Sequence, residues 1–81
     1  MSEHVTPETV ELVIQEVVSW CAEQIIQERR TAAPDPERLK ALQEELAVCA
    51  ADREALQDAD EDEVAEIAAR YAARVKTLQS E

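Results

Sequence analysis

Three aspartates have the best spacing for metal chemistry. Asp58, Asp60 and Asp62 stand at alternate positions, as do the first three ligands of an EF-hand calcium loop. Such a loop also needs glycine at its sixth position and a bidentate glutamate at its twelfth, where this chain has Glu63 and Ala69. We therefore predict no metal site and no cofactor, and we interpret the aspartates as the acidic start of a helix.

Nucleophilic catalysis would require Cys21 or Cys49 beside a general base. The only histidine is His4, near the start of the chain. Both cysteines fall on apolar faces of predicted helices, where a thiol usually packs as a small hydrophobic side chain. The chain also lacks glycine, which phosphate-binding loops need. We expect buried cysteines and no enzymatic activity, although a Cys21–Cys49 disulfide remains geometrically feasible.

The strongly negative net charge of the chain limits the kinds of molecule that it can bind. Its 19 acidic and 8 basic residues give a net charge of −11, which repels nucleic-acid phosphates and anionic membranes and attracts basic proteins. A helix-turn-helix DNA-binding domain is disfavoured for the same reason. The start of the chain has no signal-peptide pattern, and no apolar stretch reaches the length of a membrane span. We expect a cytoplasmic protein that binds neither nucleic acid nor membrane.

Helical periodicity and start signals predict three helices. The first covers residues 7–32, with Thr6 as N-cap and Pro7 as its first residue. The second covers residues 36–57, and Asp35 repeats the same start signal. The third covers residues 61–78, where either Asp58 with Glu61 or Asp60 with Glu63 can form a capping box.

Each predicted helix carries an apolar stripe at spacings of three and four. In the second helix, Arg53 occupies the one slot that breaks this rhythm. Short loops place successive helices antiparallel, so the fold class is an all-α, three-helix antiparallel bundle, a helical hairpin plus a third helix. The stripes are Val10, Val13, Ile14, Val17, Val18, Trp20, Cys21 and Ile25; Leu39, Leu42, Leu46, Cys49 and Leu56; and Val64, Ile67, Ala68, Tyr71, Val75 and Leu78.

The predicted domain covers residues 7–79, between a flexible N-terminal tail, residues 1–6, and a C-terminal tail, residues 80–81. A core this small gives marginal stability, which favours association into a homodimer. Leu12 and Ile26 point away from the stripe of the first helix, with Ala22 between them. Trp20 lies on the core arc, but tryptophan is also common in interfaces. The candidate interface is Leu12, Trp20, Ala22 and Ile26.

Two functional hypotheses follow. The first is a small acidic protein–protein interaction module that self-associates. The alternative is an acidic inhibitor or mimic, such as an antitoxin or a phage-type anti-defence protein, which binds a basic site on another protein. Its candidate acidic surface consists of Asp58, Asp60, Glu61, Asp62, Glu63 and Glu66.

Overall fold

Three α-helices make up the regular structure of residues 6–80, the part of the chain that the computed structural model describes. They are α1 (Pro7–Arg30), α2 (Pro36–Leu56) and α3 (Glu61–Ser80). The starts agree with the sequence prediction, and the ends differ by one or two residues. Of the predicted tails, residues 1–5 and 81 lie outside the described residues, whereas Thr6 caps α1 and Ser80 belongs to α3.

At all three helix starts, side-chain oxygens accept hydrogen bonds from the free backbone amides of the first turn. The Thr6 hydroxyl accepts the Thr9 amide at 3.2 Å, and the Thr9 hydroxyl in turn accepts the Thr6 amide, so threonine replaces the usual glutamate of a capping box. Asp35 accepts two amides at the start of α2. At α3, Asp60 accepts the Glu63 amide at 2.9 Å. The structure thus selects Asp60 over Asp58 as the cap.

Helix α1 ends two residues before the predicted boundary because of Thr31. Its backbone is extended, and its hydroxyl donates to the Glu28 carbonyl at 2.8 Å. The Glu28 carboxylate accepts the Asp35 amide at 3.0 Å and pairs with Arg38 at 3.4 Å. This one side chain therefore joins the end of α1 to the start of α2.

Contacts between the helices establish an all-α three-helix bundle in which α1 packs against both α2 and α3. Arg53 near the end of α2 reaches Glu11 near the start of α1, so these helices are antiparallel and the break in the α2 stripe is an exposed ion pair. Helices α2 and α3 are also antiparallel, because Asp52 pairs with Arg70 and Glu45 with Arg74.

The core lies where the three apolar stripes meet, and the predicted stripes are confirmed. Leu39, Leu46, Val75 and Leu78 are only partly buried around its edge. Within residues 6–80, every buried residue is hydrophobic, and Tyr71 is the one among them that carries a hydroxyl group. The buried residues are Val10, Ile14, Val17, Cys21, Ile25, Leu42, Cys49, Leu56, Val64, Ile67 and Tyr71.

Candidate interaction surfaces

The outer face of α1 carries two of the most exposed large apolar residues of the described chain. Leu12 is 69% exposed and Ile26 is 50% exposed. They lie fourteen residues apart on the side of α1 opposite Ile14 and Cys21, which are fully buried. At 100° per residue, fourteen residues return to nearly the same side of a helix, so the two side chains share one face. Ala22 is exposed beside them.

Trp20 lies apart from the other three residues of the predicted interface. It is partly buried against the core, where it lines a crevice of about 170 Å³ between α1 and α3 together with Val75 and Leu78. The interpretation of Trp20 as an edge of the core therefore accounts for its position. The structure brings together Leu12, Ala22 and Ile26 on one face and places Trp20 on another.

Val48 is an exposed apolar residue that the sequence analysis missed. It is 51% exposed on the outer side of α2. The residues at its helical neighbours Ala41, Ala51 and Ala55 are exposed as well. Val48 immediately precedes the buried Cys49, so it lies to one side of the apolar stripe. A search of α2 for apolar residues outside its stripe would have found this position.

Two ion pairs flank Val48 and join α2 to α3. Arg74 donates to Glu45 at 2.9 Å, and Arg70 donates to Asp52 at 3.3 Å. The sequence analysis did not predict these pairs, because a contact between helices leaves no trace in local spacing. The shallow cleft that these residues line encloses about 120 Å³.

The Tyr71 hydroxyl donates to the second carboxylate oxygen of Asp52 at 2.6 Å. Tyr71 is only 4% exposed, and burial together with the Asp52 hydrogen bond raises the pKa of its phenol. A phenol that stays protonated and bonded to a carboxylate stabilises the contact between α2 and α3. Its geometry does not prepare it for proton transfer near neutral pH.

Both cysteines are free and fully buried, as their positions on the apolar stripes predicted. Burial is the main cause that raises the pKa of each thiol. Cys49 also lies near enough to Cys21 to raise the pKa of that thiol further. Because the thiolate is the reactive form, this environment favours unreactive core thiols.

The predicted acidic surface lies at the junction of α2 and α3, and all six of its residues are exposed. Within residues 6–80, none of the six pairs with a lysine or arginine. Asp60 serves as the cap of α3. The described residues contain no group of three or more histidine, cysteine or acidic side chains arranged to hold a metal ion.

None of the three helices combines the length and apolar character needed to cross a membrane within residues 6–80. Comparisons with models of protein families, with curated proteins and with solved structures find no match to this chain.

Proposed function

We propose that this chain is a small helical protein–protein interaction module that associates with a second copy of itself and works by binding, not by catalysis. The observation that carries the proposal is the exposure of Leu12 and Ile26 on one face of α1. The core is complete without them, so the fold does not explain their apolar character. Single exposed apolar residues are common on soluble proteins, but two on one helix face form the beginning of a contact surface.

The environment of the reactive side chains supports binding over catalysis. The raised pKa of each buried thiol keeps it protonated, and the Tyr71 phenol is already engaged by Asp52. Nucleophilic catalysis needs an accessible, activated group beside a base. The hollows beside Val48 and Trp20 are open and lie between helices, where a partner surface fits better than an enclosed substrate.

Light scattering after size exclusion tests self-association, with reductant present, over about a hundredfold range of concentration. We expect the mass to rise above the 9.1 kDa of one chain towards twice that value. The variant with Leu12→Gln and Ile26→Gln should stay monomeric and keep the helix content of the parent, since both sites are exposed. A parent chain that stays at the monomer mass throughout and still unfolds cooperatively would refute the proposal.

A second candidate function is the inhibition or masking of a basic site on another protein. The observation that favours it is the acidic surface at the junction of α2 and α3, whose carboxylates pair with no cation of the described chain. Such a surface speeds association with a basic partner, and salt weakens that effect. A pull-down from native lysate at low and moderate salt should then recover a basic protein only at low salt. Substituting Asp62→Asn and Glu66→Gln should reduce the recovery.

A further inference from the structure

The exposed face of α1 has a regular spacing that extends beyond Leu12 and Ile26. We name it the α1 outer seam: Glu8, Leu12, Gln15, Ser19, Ala22, Ile26 and Arg30. All seven residues are exposed. The spacing of four, three, four, three, four and four residues is close to the repeat along which two α-helices pack side by side. The seam therefore has the geometry for a second helix lying along α1.

The α1 outer seam is nearly symmetric about Ser19. Leu12 and Ile26 lie seven residues to either side, which is about 10.5 Å along the helix axis. Glu8 and Arg30 lie eleven residues to either side, about 16.5 Å along the axis. A twofold axis at the level of Ser19 would therefore place an apolar residue opposite an apolar residue and an acid opposite a base.

We infer that a second copy of this chain packs antiparallel along the α1 outer seam, with the twofold axis at Ser19. Leu12 then contacts the partner's Ile26, and Glu8 pairs with the partner's Arg30. The inference rests on the proposed self-association and adds its surface, its direction and its centre. In such a twofold interface both copies use the same surface, so that Leu12 of each copy contacts Ile26 of the other. This is the commonest form of homodimer.

The charges at the two ends of the seam favour one of the two directions that helix α1 and its copy can take. A parallel pair would place Glu8 beside the partner's Glu8 and Arg30 beside the partner's Arg30, which is repulsive at both ends. The antiparallel pair makes two attractive contacts instead. Glu8 and Arg30 take part in none of the ion pairs within residues 6–80, so both charges are available to the partner.

Small side chains at the middle of the seam let the two helices approach each other. Ser19 lies on the twofold axis and Ala22 beside it, so neither holds the backbones apart. At the ends, Leu12 adjoins a shallow hollow lined by Glu8, Glu11 and Gln15, which is where the partner's Ile26 would lie. The apolar contacts thus lie at some distance from the twofold axis, whereas the two backbones approach each other most closely at the axis.

The outer side of α2 is the rival surface for a second copy. It offers Val48 as its one large exposed apolar residue, against two on α1. Glu45 and Asp52 beside Val48 already pair with Arg74 and Arg70. A copy that docked there would gain less apolar contact, so the observations favour α1.

Cysteine cross-linking tests the symmetry directly. With glutathione disulfide as the oxidant, Ser19→Cys should link to its own copy, because the two introduced thiols meet at the axis. Leu12→Cys should not link to itself, since its two copies lie about 21 Å apart along the axis, but a mixture of Leu12→Cys and Ile26→Cys should give a covalent dimer. The parent chain is the background control because its thiols are buried, and Ala51→Cys on α2 is an exposed control.

Each outcome of the cross-linking has a distinct meaning when light scattering is run on the same samples. Self-linking of both Ser19→Cys and Leu12→Cys would show parallel packing and overturn the antiparallel geometry. A dimer that links at Ala51→Cys and at none of the α1 sites would move the contact to α2, overturning the inference and leaving the proposed function intact. A monomer under all conditions would overturn both and leave a different protein as the occupant of the seam.

Charge reversal at the ends of the seam provides an independent test. Glu8→Arg and Arg30→Glu should each weaken dimerisation roughly three- to tenfold, since each removes two exposed ion pairs. The variant carrying both substitutions should recover most of the affinity. Arg29→Glu is the matched control, because it changes the net charge as Arg30→Glu does but lies off the seam. Equal weakening by Arg29→Glu and Arg30→Glu, with no recovery in the double variant, would overturn the Glu8–Arg30 contact.

Discussion

Asp52 illustrates how one side chain can tie two helices together at the residue scale. Its two carboxylate oxygens accept from different donors of α3, the Tyr71 phenol at 2.6 Å and the Arg70 guanidinium at 3.3 Å. The phenol is buried, whereas the Arg70 side chain is about half exposed. Hydrogen bonds to charged groups contribute more when they are shielded from water, so the Tyr71 bond should dominate.

We expect Tyr71→Phe to lower the free energy of unfolding by about 1.5 kcal/mol near neutral pH, measured by urea denaturation. The loss should shrink at alkaline pH. The pKa of the folded phenol is raised above its ordinary value of 10.0, so its protonation stabilises the fold below about pH 10. That stabilisation is lost as the pH rises further, when the unfolded chain releases the proton first.

Arg70→Ala is the control for the Tyr71 substitution because it removes the exposed partner of the same carboxylate. Its cost should stay below about 1 kcal/mol, as for other exposed pairs. If Tyr71→Phe cost no more than Arg70→Ala, or if the difference between Tyr71→Phe and the parent were independent of pH up to about 10.5, the buried hydrogen bond would not have the role assigned to it.

At the scale of the helices, the starts are defined by single side chains. Thr6, Asp35 and Asp60 each accept backbone amides that the first turn leaves without a partner. Asp58 has the same side chain and lies two residues before Asp60, yet it bonds no amide among the described residues. The pair offers a matched comparison of a capping and a non-capping aspartate within one loop.

We expect Asp60→Ala to lower the free energy of unfolding by about 1 kcal/mol, the usual effect of removing an N-cap. Asp58→Ala removes the same charge without removing a cap, so its effect should be within about 0.5 kcal/mol of zero. Thermal or urea unfolding of both variants would measure the difference. Equal losses would mean that the acidic charge near the α3 dipole, rather than the hydrogen bond, stabilises this helix start.

At the scale of the whole molecule, the net charge of −11 acts over a small body. The described chain extends 49 × 25 × 16 Å. At about 0.01 M ionic strength the screening length is roughly 30 Å, which exceeds the two shorter dimensions, whereas at about 0.1 M it is roughly 10 Å. Nearly all acidic side chains therefore repel one another at low salt and only neighbours do so at moderate salt.

We expect the urea midpoint of unfolding to rise when sodium chloride is increased from about 0.01 to 0.1 M, because screening relieves this repulsion in the folded state. Urea is used because it is uncharged, and protein concentration is held low and constant so that association does not contribute. Potassium chloride should have the same effect, which separates screening from binding of a particular ion. A midpoint that fell with salt would show that attractive pairs outweigh the general repulsion.

Local patterns in the chain were sufficient for much of the fold. Start signals at Thr6, Asp35 and the Asp58–Asp60 stretch predicted the helix starts correctly. Apolar residues spaced three and four positions apart predicted the buried faces of the helices correctly. These features depend on neighbours within one or two turns, and such neighbours are visible in the sequence. The ends were less accurate, as at Thr31, whose extended backbone ends α1 two residues early.

What only the tertiary structure decided is which side of each helix a neighbour covers. Trp20 and Leu12 are both apolar residues of α1, but α3 covers the first and nothing in the described chain covers the second. In the same way, Asp52 accepts a hydrogen bond from Tyr71, which lies nineteen residues later in the sequence. Such contacts depend on the placement of one helix against another, so the sequence by itself determined the helices and their apolar stripes, whereas packing determined the surfaces left for a partner.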